Sequence, residues 1–358
     1  MLLVTIRVVY GDIGTSPMYV LKSIVENNSG IHNVNSDFII GSLSLYEPSS
    51  LWIWRCIFFY PNCCNLFSPC YNEDEVIIML NKDDNKFVLN NGVLIPDVAF
   101  GTYKAAAGDT SDVILKAIEA GYRCFDTASF YGTEQYLADA IEKSGIPREN
   151  FFITSKLWKT ELGYDNALAA FQASLKRLRT DYLDAYLIHW PLPAPDYEDW
   201  KVIDFDTWQA LEKLYSEGVV NAIGVSNFLP HHIENILESC EIQPSINQIE
   251  FHPGYSQLAT VEYCQKHDIL VQAWSPLGRT RVLDDPLICE LAEKYKKQPA
   301  QICLRYAYQM GVMPLPKSSE ESRMKENMDV FGFEISQEDM FRLQTMPPAG
   351  WSGLHPDR

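Results

Sequence analysis

From Lys86 onward, eight short apolar runs alternate with amphipathic stretches. Runs of four or five apolar residues are typical of buried strands, and the intervening stretches carry apolar residues at helical spacing. The predicted strands are 98–101, 123–126, 151–154, 185–188, 221–225, 246–249, 270–273 and 312–315. Eight strand–helix units over roughly 280 residues predict a closed (β/α)8 TIM barrel, whose usual size is about 250 residues. An open doubly wound sheet is the alternative, but residues 101–104 lack the glycine-rich phosphate turn that it would need.

Helices and one hairpin complete the predicted architecture. Two short apolar runs, 87–89 and 93–95, flank Asn90-Asn91-Gly92, which predicts an N-terminal β-hairpin with glycine at a position of positive φ. The predicted helices are 111–120, 134–144, 164–178, 207–217, 230–239, 260–267 and 300–309.

Four titratable side chains follow the predicted strands, where a barrel gathers its chemistry at one mouth. Asp126 ends the second strand, Tyr131 follows it, and Lys156 and His189 follow the third and fourth. Lys156 beside Tyr131 would favour the phenolate and lower its pKa from about 10. Asp126 would keep Lys156 charged, and His189 would orient a carbonyl oxygen or pass a proton. Singly, Asp126 fits a helix cap and His189 a core histidine; together the four favour proton donation to a substrate oxygen.

Several other functions are disfavoured by composition and spacing. The formal charge is −18 without a basic stripe, which argues against nucleic acid as a partner. No cysteine lies among the mouth residues and no serine has evident triad partners, which disfavours acyl-enzyme chemistry. The histidines lack metal-ligand spacing, so no metal is expected, and His231 and His232 are interpreted as surface residues. No signal peptide is evident, so the five scattered cysteines are predicted to be reduced in a cytoplasmic protein.

The first 75 residues do not continue this pattern. Residues 9–45 resemble the start of the potassium-uptake permeases of the KUP type, and the likeness stops abruptly at Tyr46. The apolar stretch 51–60 is too short to span a bilayer and contains Arg55. We interpret residues 1–75 as a truncated transporter fragment and an unrelated junction, poorly ordered and without activity, joined to a barrel over 76–358. A membrane transporter is disfavoured because no further spans follow.

Seven motifs in order resemble the aldo-keto reductases from about residue 76 onward, and Trp274 is similar to bacterial members of the diketogluconate-reductase type. The motifs are residues 121–128 with Tyr131-Gly132 and Glu134, then 154–158, 187–191, 224–228, 247–250, 273–278 and 316–318. The resemblance implies a barrel that binds NADPH and reduces aldehydes or ketones. Tyr131 would be the general acid, Lys156 and Asp126 its tuning pair, and His189 the orienting residue.

The same resemblance implies a set of cofactor-binding residues. They are Thr102, Ser226, Asn227, Gln248, Trp274, Ser275, Pro276, Leu277, Gly278, Lys317, Ser318, Ser319, Arg323, Glu326 and Asn327. Within that set, Trp274 would stack on the nicotinamide, and residues 275–278 would line the pyrophosphate channel. Lys317 and Arg323 favour NADPH, because NADH has no 2′-phosphate for them to bind.

The implied substrate pocket is small and aromatic, as is typical of small-molecule sites. Its expected walls are Tyr103, Trp158, His189 and Trp190. The resemblance also implies a monomer without the long C-terminal loop by which some relatives grip bulky substrates. One alternative stays open, an NADPH-binding regulatory or channel-associated subunit with little turnover. The motifs do not identify the physiological carbonyl compound.

Overall fold

Eight parallel strands curl into a barrel in the computed structural model, which describes residues 80–81, 86–105 and 111–358. They are β4 (Phe100–Gly101), β5 (Cys124–Asp126), β6 (Phe152–Leu157), β7 (Leu183–Ile188), β8 (Val220–Ser226), β9 (Ile246–Glu250), β10 (Leu270–Trp274) and β11 (Val312–Pro314). Each strand pairs with the next along the chain. The backbone N–H groups of Ala99 and Gly101 donate to the carbonyl oxygens of Pro314 and Pro316, at 3.3 and 3.1 Å. These bonds close the sheet, and the predicted barrel is confirmed.

Helices surround the barrel. They are α1 (Ser111–Glu119), α2 (Glu134–Ser144), α3 (Tyr164–Leu178), α4 (Trp200–Ser216), α5 (Pro230–Leu237), α6 (Leu258–Lys266), α7 (Pro286–Tyr295), α8 (Pro299–Gln309), α9 (Glu321–Met328) and α10 (Gln337–Gln344). The seven predicted helices are present, although α4 begins at Trp200 rather than Thr207. Helices α7, α9 and α10 were not predicted. In α9 only Met324 and Asn327 are buried, so its sequence carries almost no apolar period.

Two apolar layers stabilise the barrel, one outside the strands and one within. On β7, Tyr186 packs outward toward the helices, whereas Ala185 and Leu187 belong to a separate inner cluster with Phe152 and Met313. Side chains of a strand alternate between its two faces, so the buried run of β7 supplies both layers. This double burial explains why the strands read as continuous apolar runs in the sequence.

A hairpin closes the N-terminal end of the barrel. Its strands are β2 (Lys86–Val88) and β3 (Leu94–Pro96), which pair antiparallel around a turn where Gly92 has φ of 83°. The short strand β1 (Leu80–Asn81) adds to β2 and was not predicted. Phe87 and Ile95 are fully buried in the inner cluster. Because the hairpin covers this end, the opposite end, where the strands terminate, is left for the site.

The N-terminal region lies largely outside the description. The predicted disorder of residues 1–75 falls on residues that the structure does not describe. Among the described residues, none of the helices has the length and apolar character needed to cross a bilayer.

Candidate active site

Four side chains meet at the C-terminal ends of β5, β6 and β7. Asp126 is the last residue of β5, Lys156 lies on β6, and His189 follows β7. Tyr131 ends a single 3-10 turn, Ser129–Tyr131, and Gly132 then leaves the turn with φ of 65°. The Tyr131 hydroxyl lies 3.4 Å from Lys156 Nζ and 3.5 Å from His189 Nε2. The structure therefore brings together the four residues predicted to carry proton transfer.

Lys156 is fully buried and its ammonium group has three partners. It donates to Asp126 Oδ1 at 2.7 Å, to the Thr127 carbonyl at 3.0 Å and to the Tyr131 hydroxyl at 3.4 Å. The second oxygen of Asp126 accepts from Gln248 Nε2 at 2.7 Å. Burial lowers the pKa of Lys156, and the ion pair with Asp126 opposes that shift. With three acceptors around it, the ammonium group has a single position at the base of the site.

The predicted lowering of the Tyr131 pKa is wrong as a net effect. Burial, and then the negative charge of Asp126, raise the pKa of Tyr131 well above its ordinary range. Asp126 belongs to the same ion pair as Lys156, so the charge of the lysine is largely balanced before it acts on the phenol. Tyr131 is consequently a protonated phenol at neutral pH, which is the form that donates a proton.

His189 places a neutral imidazole beside the Tyr131 hydroxyl. Burial, and then the positive charge of Lys156, lower the pKa of His189 well below its ordinary value. Its backbone carbonyl accepts from Asn227 Nδ2 at 2.9 Å, which fixes the segment after β7. The buried Nδ1 atom has no partner among the described residues. At neutral pH the ring adds no charge and can only donate or accept a hydrogen bond.

The residues expected at the nicotinamide lie side by side at the ends of β8, β9 and β10. Asn227 has φ of 63°, a left-handed conformation that asparagine tolerates better than most residues. Its Oδ1 accepts from Trp274 Nε1 at 2.8 Å, and Ser226 Oγ donates to the Gln248 carbonyl at 2.9 Å. The Gln248 amide instead points at Asp126, so its expected contact with the carboxamide stays a prediction.

The loop after β10 has an unusual backbone. Ser275, Gly278, Arg279 and Thr280 all have positive φ, between 50° and 71°. Left-handed residues within a turn can direct successive N–H groups to one side, an arrangement that suits anions. However, Pro276 has no N–H and the Gly278 N–H donates to the Ser275 carbonyl at 2.8 Å, so the pyrophosphate role expected of residues 275–278, including Leu277, stays a prediction.

The candidate phosphate-binding side chains follow β11 and continue into α9. Lys317 and Arg323 are exposed. Neither pairs with a carboxylate anywhere in the described part of the chain, and Lys317 Nζ donates to Ser319 Oγ at 2.9 Å. Ser318 Oγ accepts from the Glu320 N–H at 3.0 Å, so that hydroxyl serves the local turn. Two uncompensated cations in an acidic protein fit a phosphate group.

The remaining predicted cofactor contacts differ in their exposure. Glu326 is exposed and Asn327 is buried on α9. Thr102 is fully buried, and its hydroxyl donates to the Asp126 carbonyl at 2.9 Å and lies 2.9 Å from Thr133 Oγ1. Because the Thr102 hydroxyl is engaged in these internal bonds, only the backbone of Thr102 is left for its predicted contact with a cofactor.

Aromatic rings surround the four central residues. The Tyr103 ring lies 4.9 Å from that of Tyr131, and Trp158 meets His189 edge-on at 5.0 Å. Phe130 stacks on Trp158 at 3.9 Å and 13°, a contact that the sequence analysis missed. Its position beside Tyr131 was the available signal. Tyr103 and Trp158 thus reach the site as expected.

The fourth predicted wall residue, Trp190, lines a neighbouring cleft. The other residues of that cleft include Asn227, Glu250, Tyr255, Trp274, Leu354 and Pro356. The C-terminal segment therefore lies beside Asn227 and Trp274, a contact that was not predicted from the sequence. Glu250 holds this segment, because its carboxylate accepts from the Ser352 N–H at 2.9 Å and from Ser352 Oγ at 2.7 Å.

The interpretation of His232 as a surface residue is wrong. Its side chain is buried, whereas His231 is half-exposed, and Nε2 of each lies 3.0 Å from Asp357 Oδ1. This cluster has the composition of a metal site. However, Nδ1 of His232 accepts the Leu229 N–H at 3.1 Å, which leaves the proton of the neutral ring on Nε2. A protonated nitrogen cannot ligate a metal, so the cluster fits an attachment of the C-terminal segment better.

The barrel and the four residues at its mouth have the architecture of an enzyme, and comparison with known proteins identifies that enzyme as an oxidoreductase. The profile of the Aldo/keto reductase family matches residues 98–346. The chain belongs to the aldo-keto reductase family. A second profile, the K+ potassium transporter integral membrane domain, matches residues 1–58, which confirms the predicted resemblance of the N-terminal region.

Individual relatives support the same assignment. Glyoxal reductase of Bacillus subtilis is 45% identical over 270 residues, covering 75% of this chain and 95% of its own. The 9,11-endoperoxide prostaglandin H2 reductase of Trypanosoma cruzi is 40% identical over 282 residues, covering 78% and 97%. Among solved structures, Bombyx mori aldo-keto reductase in complex with NADP is 34% identical with a TM-score of 0.66, covering 74% and 97%.

Proposed function

We propose that this protein reduces small aldehydes and ketones to alcohols with NADPH, and that Tyr131 is the general acid. The observation that carries the proposal is the convergence of Lys156 and His189 on the Tyr131 hydroxyl. A carbonyl oxygen placed at that hydroxyl would meet a protonated phenol and a neutral imidazole. Both can donate a hydrogen bond to the oxygen, and only the phenol has a charge beside it that stabilises its anion.

The chain's own residues account for the proton transfer. As the substrate oxygen gains negative charge, the Tyr131 proton moves to it and a phenolate forms. The Lys156 ammonium at 3.4 Å stabilises that phenolate, while Asp126 keeps the ammonium in position. His189 Nε2 orients the oxygen from the other side, and the packed rings of Tyr103 and Trp158 limit access of water. When bound, the nicotinamide supplies the hydride.

NADPH is proposed over NADH because of charge. The exposed cations Lys317 and Arg323 suit the 2′-phosphate, which NADH lacks. Trp274, held by its bond to Asn227, would provide a fixed aromatic face for the nicotinamide. Two wider predictions also stand as proposals: a monomer located in the cytoplasm, and a catalytic unit confined to residues 76–358.

The test is oxidation of NADPH, followed by absorbance, with a panel of small carbonyl compounds and the full chain. We expect turnover with NADPH to exceed turnover with NADH by at least tenfold at low cofactor concentration. Lys317→Met with Arg323→Met should remove that preference by weakening NADPH binding alone. Tight binding of NADPH without turnover of any carbonyl compound would contradict the proposal and would favour the regulatory-subunit alternative.

A further inference from the structure

One carboxylate joins two loops of the mouth that carry different parts of the site. Glu161 ends the 3-10 turn Lys159–Glu161, in the loop after β6. Its Oε2 accepts from the Trp158 N–H at 2.6 Å and from Ser129 Oγ at 2.7 Å. Ser129 belongs to the loop after β5. A single carboxylate oxygen of Glu161 thus bridges the two loops.

Both ends of this bridge lie next to groups of the site. Ser129 opens the same 3-10 turn that Tyr131 ends, so moving one tilts the other. Trp158 packs edge-on against His189. Between the two ends, Phe130 stacks on the Trp158 ring at 3.9 Å and spans the same gap between the loops. The bridge and the stack therefore both connect the loop of the phenol to the tryptophan that packs against the imidazole.

The chemistry suits a role in positioning. Hydrogen bonds to a carboxylate are shorter and about twice as strong as neutral ones, and here both are short. Glu161 is only partly buried, so its carboxyl group keeps some contact with water. The Ser129 bond crosses between loops, whereas the Trp158 bond stays within one. Losing Ser129 Oγ therefore frees the loop of Tyr131 without disturbing the turn that contains Glu161.

We propose that Glu161 is a positioning residue, which acts through Ser129 and Trp158 to hold the Tyr131 hydroxyl at its distance from His189. The proposal deepens the proposed function, since it concerns the alignment of the same proton donor. Glu161 itself does not touch Tyr131 in the structure. Its removal should reduce the fraction of molecules with an aligned phenol, while the protonation and the intrinsic acidity of that phenol stay the same.

The test compares Ser129→Ala, Glu161→Ala and Glu161→Gln with the control Thr160→Ala, an exposed neighbour in the same turn. Misplacement of a reacting group by about 1 Å can lower a rate by about 100-fold. We expect kcat for a small aldehyde to fall about 5-fold in Ser129→Ala and about 20-fold or more in Glu161→Ala. Glu161→Gln keeps an acceptor oxygen and should recover most of the loss. Thr160→Ala should keep the kcat of wild type, and the Kd for NADPH should be unchanged in all four variants.

A second measurement does not depend on turnover. Amide hydrogen exchange of residues 129–131, followed by mass spectrometry, should be about 10-fold faster in Ser129→Ala and Glu161→Ala than in wild type and Thr160→Ala. Normal kcat together with normal exchange in Glu161→Ala would overturn the proposal. A lowered melting temperature with unchanged kcat and exchange would overturn it too, because Glu161 would then be only structural. If wild type reduces no carbonyl compound, the proposed function fails and exchange alone decides on the bridge.

Discussion

Lys156 shows how a charge can be both buried and useful. Its three protons are all directed at acceptors, and the weakest of these bonds, at 3.4 Å, is the one to Tyr131. A phenolate at that position would be a much better acceptor than the phenol. When Tyr131 gives up its proton, Lys156 therefore offsets part of the energy that burial adds to the phenolate, and this lowers the barrier to proton transfer.

A second buried carboxyl group makes stability depend on pH. Asp97 is 2% exposed, and Oδ2 accepts from the Tyr308 hydroxyl at 3.4 Å, while Oδ1 has no partner among the described residues. Burial raises the pKa of Asp97 from 3.8 to about 6, against the smaller opposing effect of the Tyr308 bond. The folded state therefore binds this proton more tightly than the unfolded state. Its contribution to stability is complete below about pH 4 and is lost as the pH rises through 6.

The variant Asp97→Asn tests this. Two units of pKa correspond to about 3 kcal/mol, so the free energy of unfolding of the variant relative to wild type should rise by about 2–3 kcal/mol between pH 4 and pH 7.5. Urea unfolding at both pH values measures it. The control is Asp181→Asn, at an exposed position, for which the difference should be nearly constant. An equal difference at both pH values for Asp97→Asn would contradict the account.

The roles of residues could be predicted from the sequence only where they depend on a residue's position relative to the strands. Asp126, Tyr131, Lys156 and His189 each lie at or just after the C-terminal end of a strand, so the topology alone brings them to one mouth. The pKa direction of Tyr131 could not be read in this way, because it depends on how completely Asp126 compensates Lys156. The stack of Phe130 on Trp158 and the burial of His232 beside Asp357 depend on contacts between segments far apart in sequence, which no local pattern encodes.

At the scale of elements, the hairpin covers the N-terminal end of the barrel and shields its interior from solvent. Asn90 Nδ2 donates to the Pro244 carbonyl and Asn91 Nδ2 to the Asn221 carbonyl, each at 2.9 Å. Pro244 precedes β9 and Asn221 lies at the start of β8. The turn thus binds the ends of two strands while Phe87 fills the opening, so the hairpin serves stability and lies at the opposite end of the strands from the chemistry.

Truncating the buried ring of the hairpin should therefore cost stability alone. Phe87→Ala should lower the free energy of unfolding by about 3–5 kcal/mol, as is usual for a fully buried phenylalanine. The matched control is Leu94→Ala in the same hairpin, since Leu94 is 46% exposed and should change stability by about 0.5 kcal/mol or less. Denaturant unfolding measures both, and kcat at 25 °C should match wild type. A large loss of kcat in folded Phe87→Ala would contradict this division of roles.

Strands were predicted more completely than helices for a physical reason. Each barrel strand is buried on both faces, so its apolar run stands out whatever surrounds it. Helices α9 and α10 bury few residues and begin with acidic side chains, so they resemble loops in sequence. Helix α7 begins with Pro286 capped by Asp285, a local signal that the sequence analysis did not use.

At the scale of the whole molecule, the residues that close the barrel and the residues that form the site all lie within the barrel and its hairpin. Its strands are joined from β4 to β11, its N-terminal end is covered by β2 and β3, and all four central residues lie between 126 and 189. None of these features uses residues 1–75. The transporter-like profile matches residues 1–58, and so ends before the first described strand.

A shortened chain that begins at Glu75 should therefore fold and turn over as the full chain does. We expect kcat and the Kd for NADPH to agree within about twofold between the two, as measured by NADPH oxidation and by titration of the binding signal. Turnover by the full chain combined with loss of folding in the shortened one would contradict the proposal that the first 75 residues are dispensable.

The most direct test of the central claim is the kcat of Tyr131→Phe with a small aldehyde, measured beside its Kd for NADPH. Loss of the general acid should lower kcat by about 1,000-fold, within the range that such groups contribute, and leave NADPH binding within about twofold of wild type. The control is Tyr215→Phe, whose hydroxyl lies 3.5 Å from Asn91 Nδ2 of the hairpin at the opposite end of the barrel and which should keep wild-type kcat. A Tyr131→Phe enzyme that retains kcat within tenfold of wild type would contradict the assignment of Tyr131 as the proton donor.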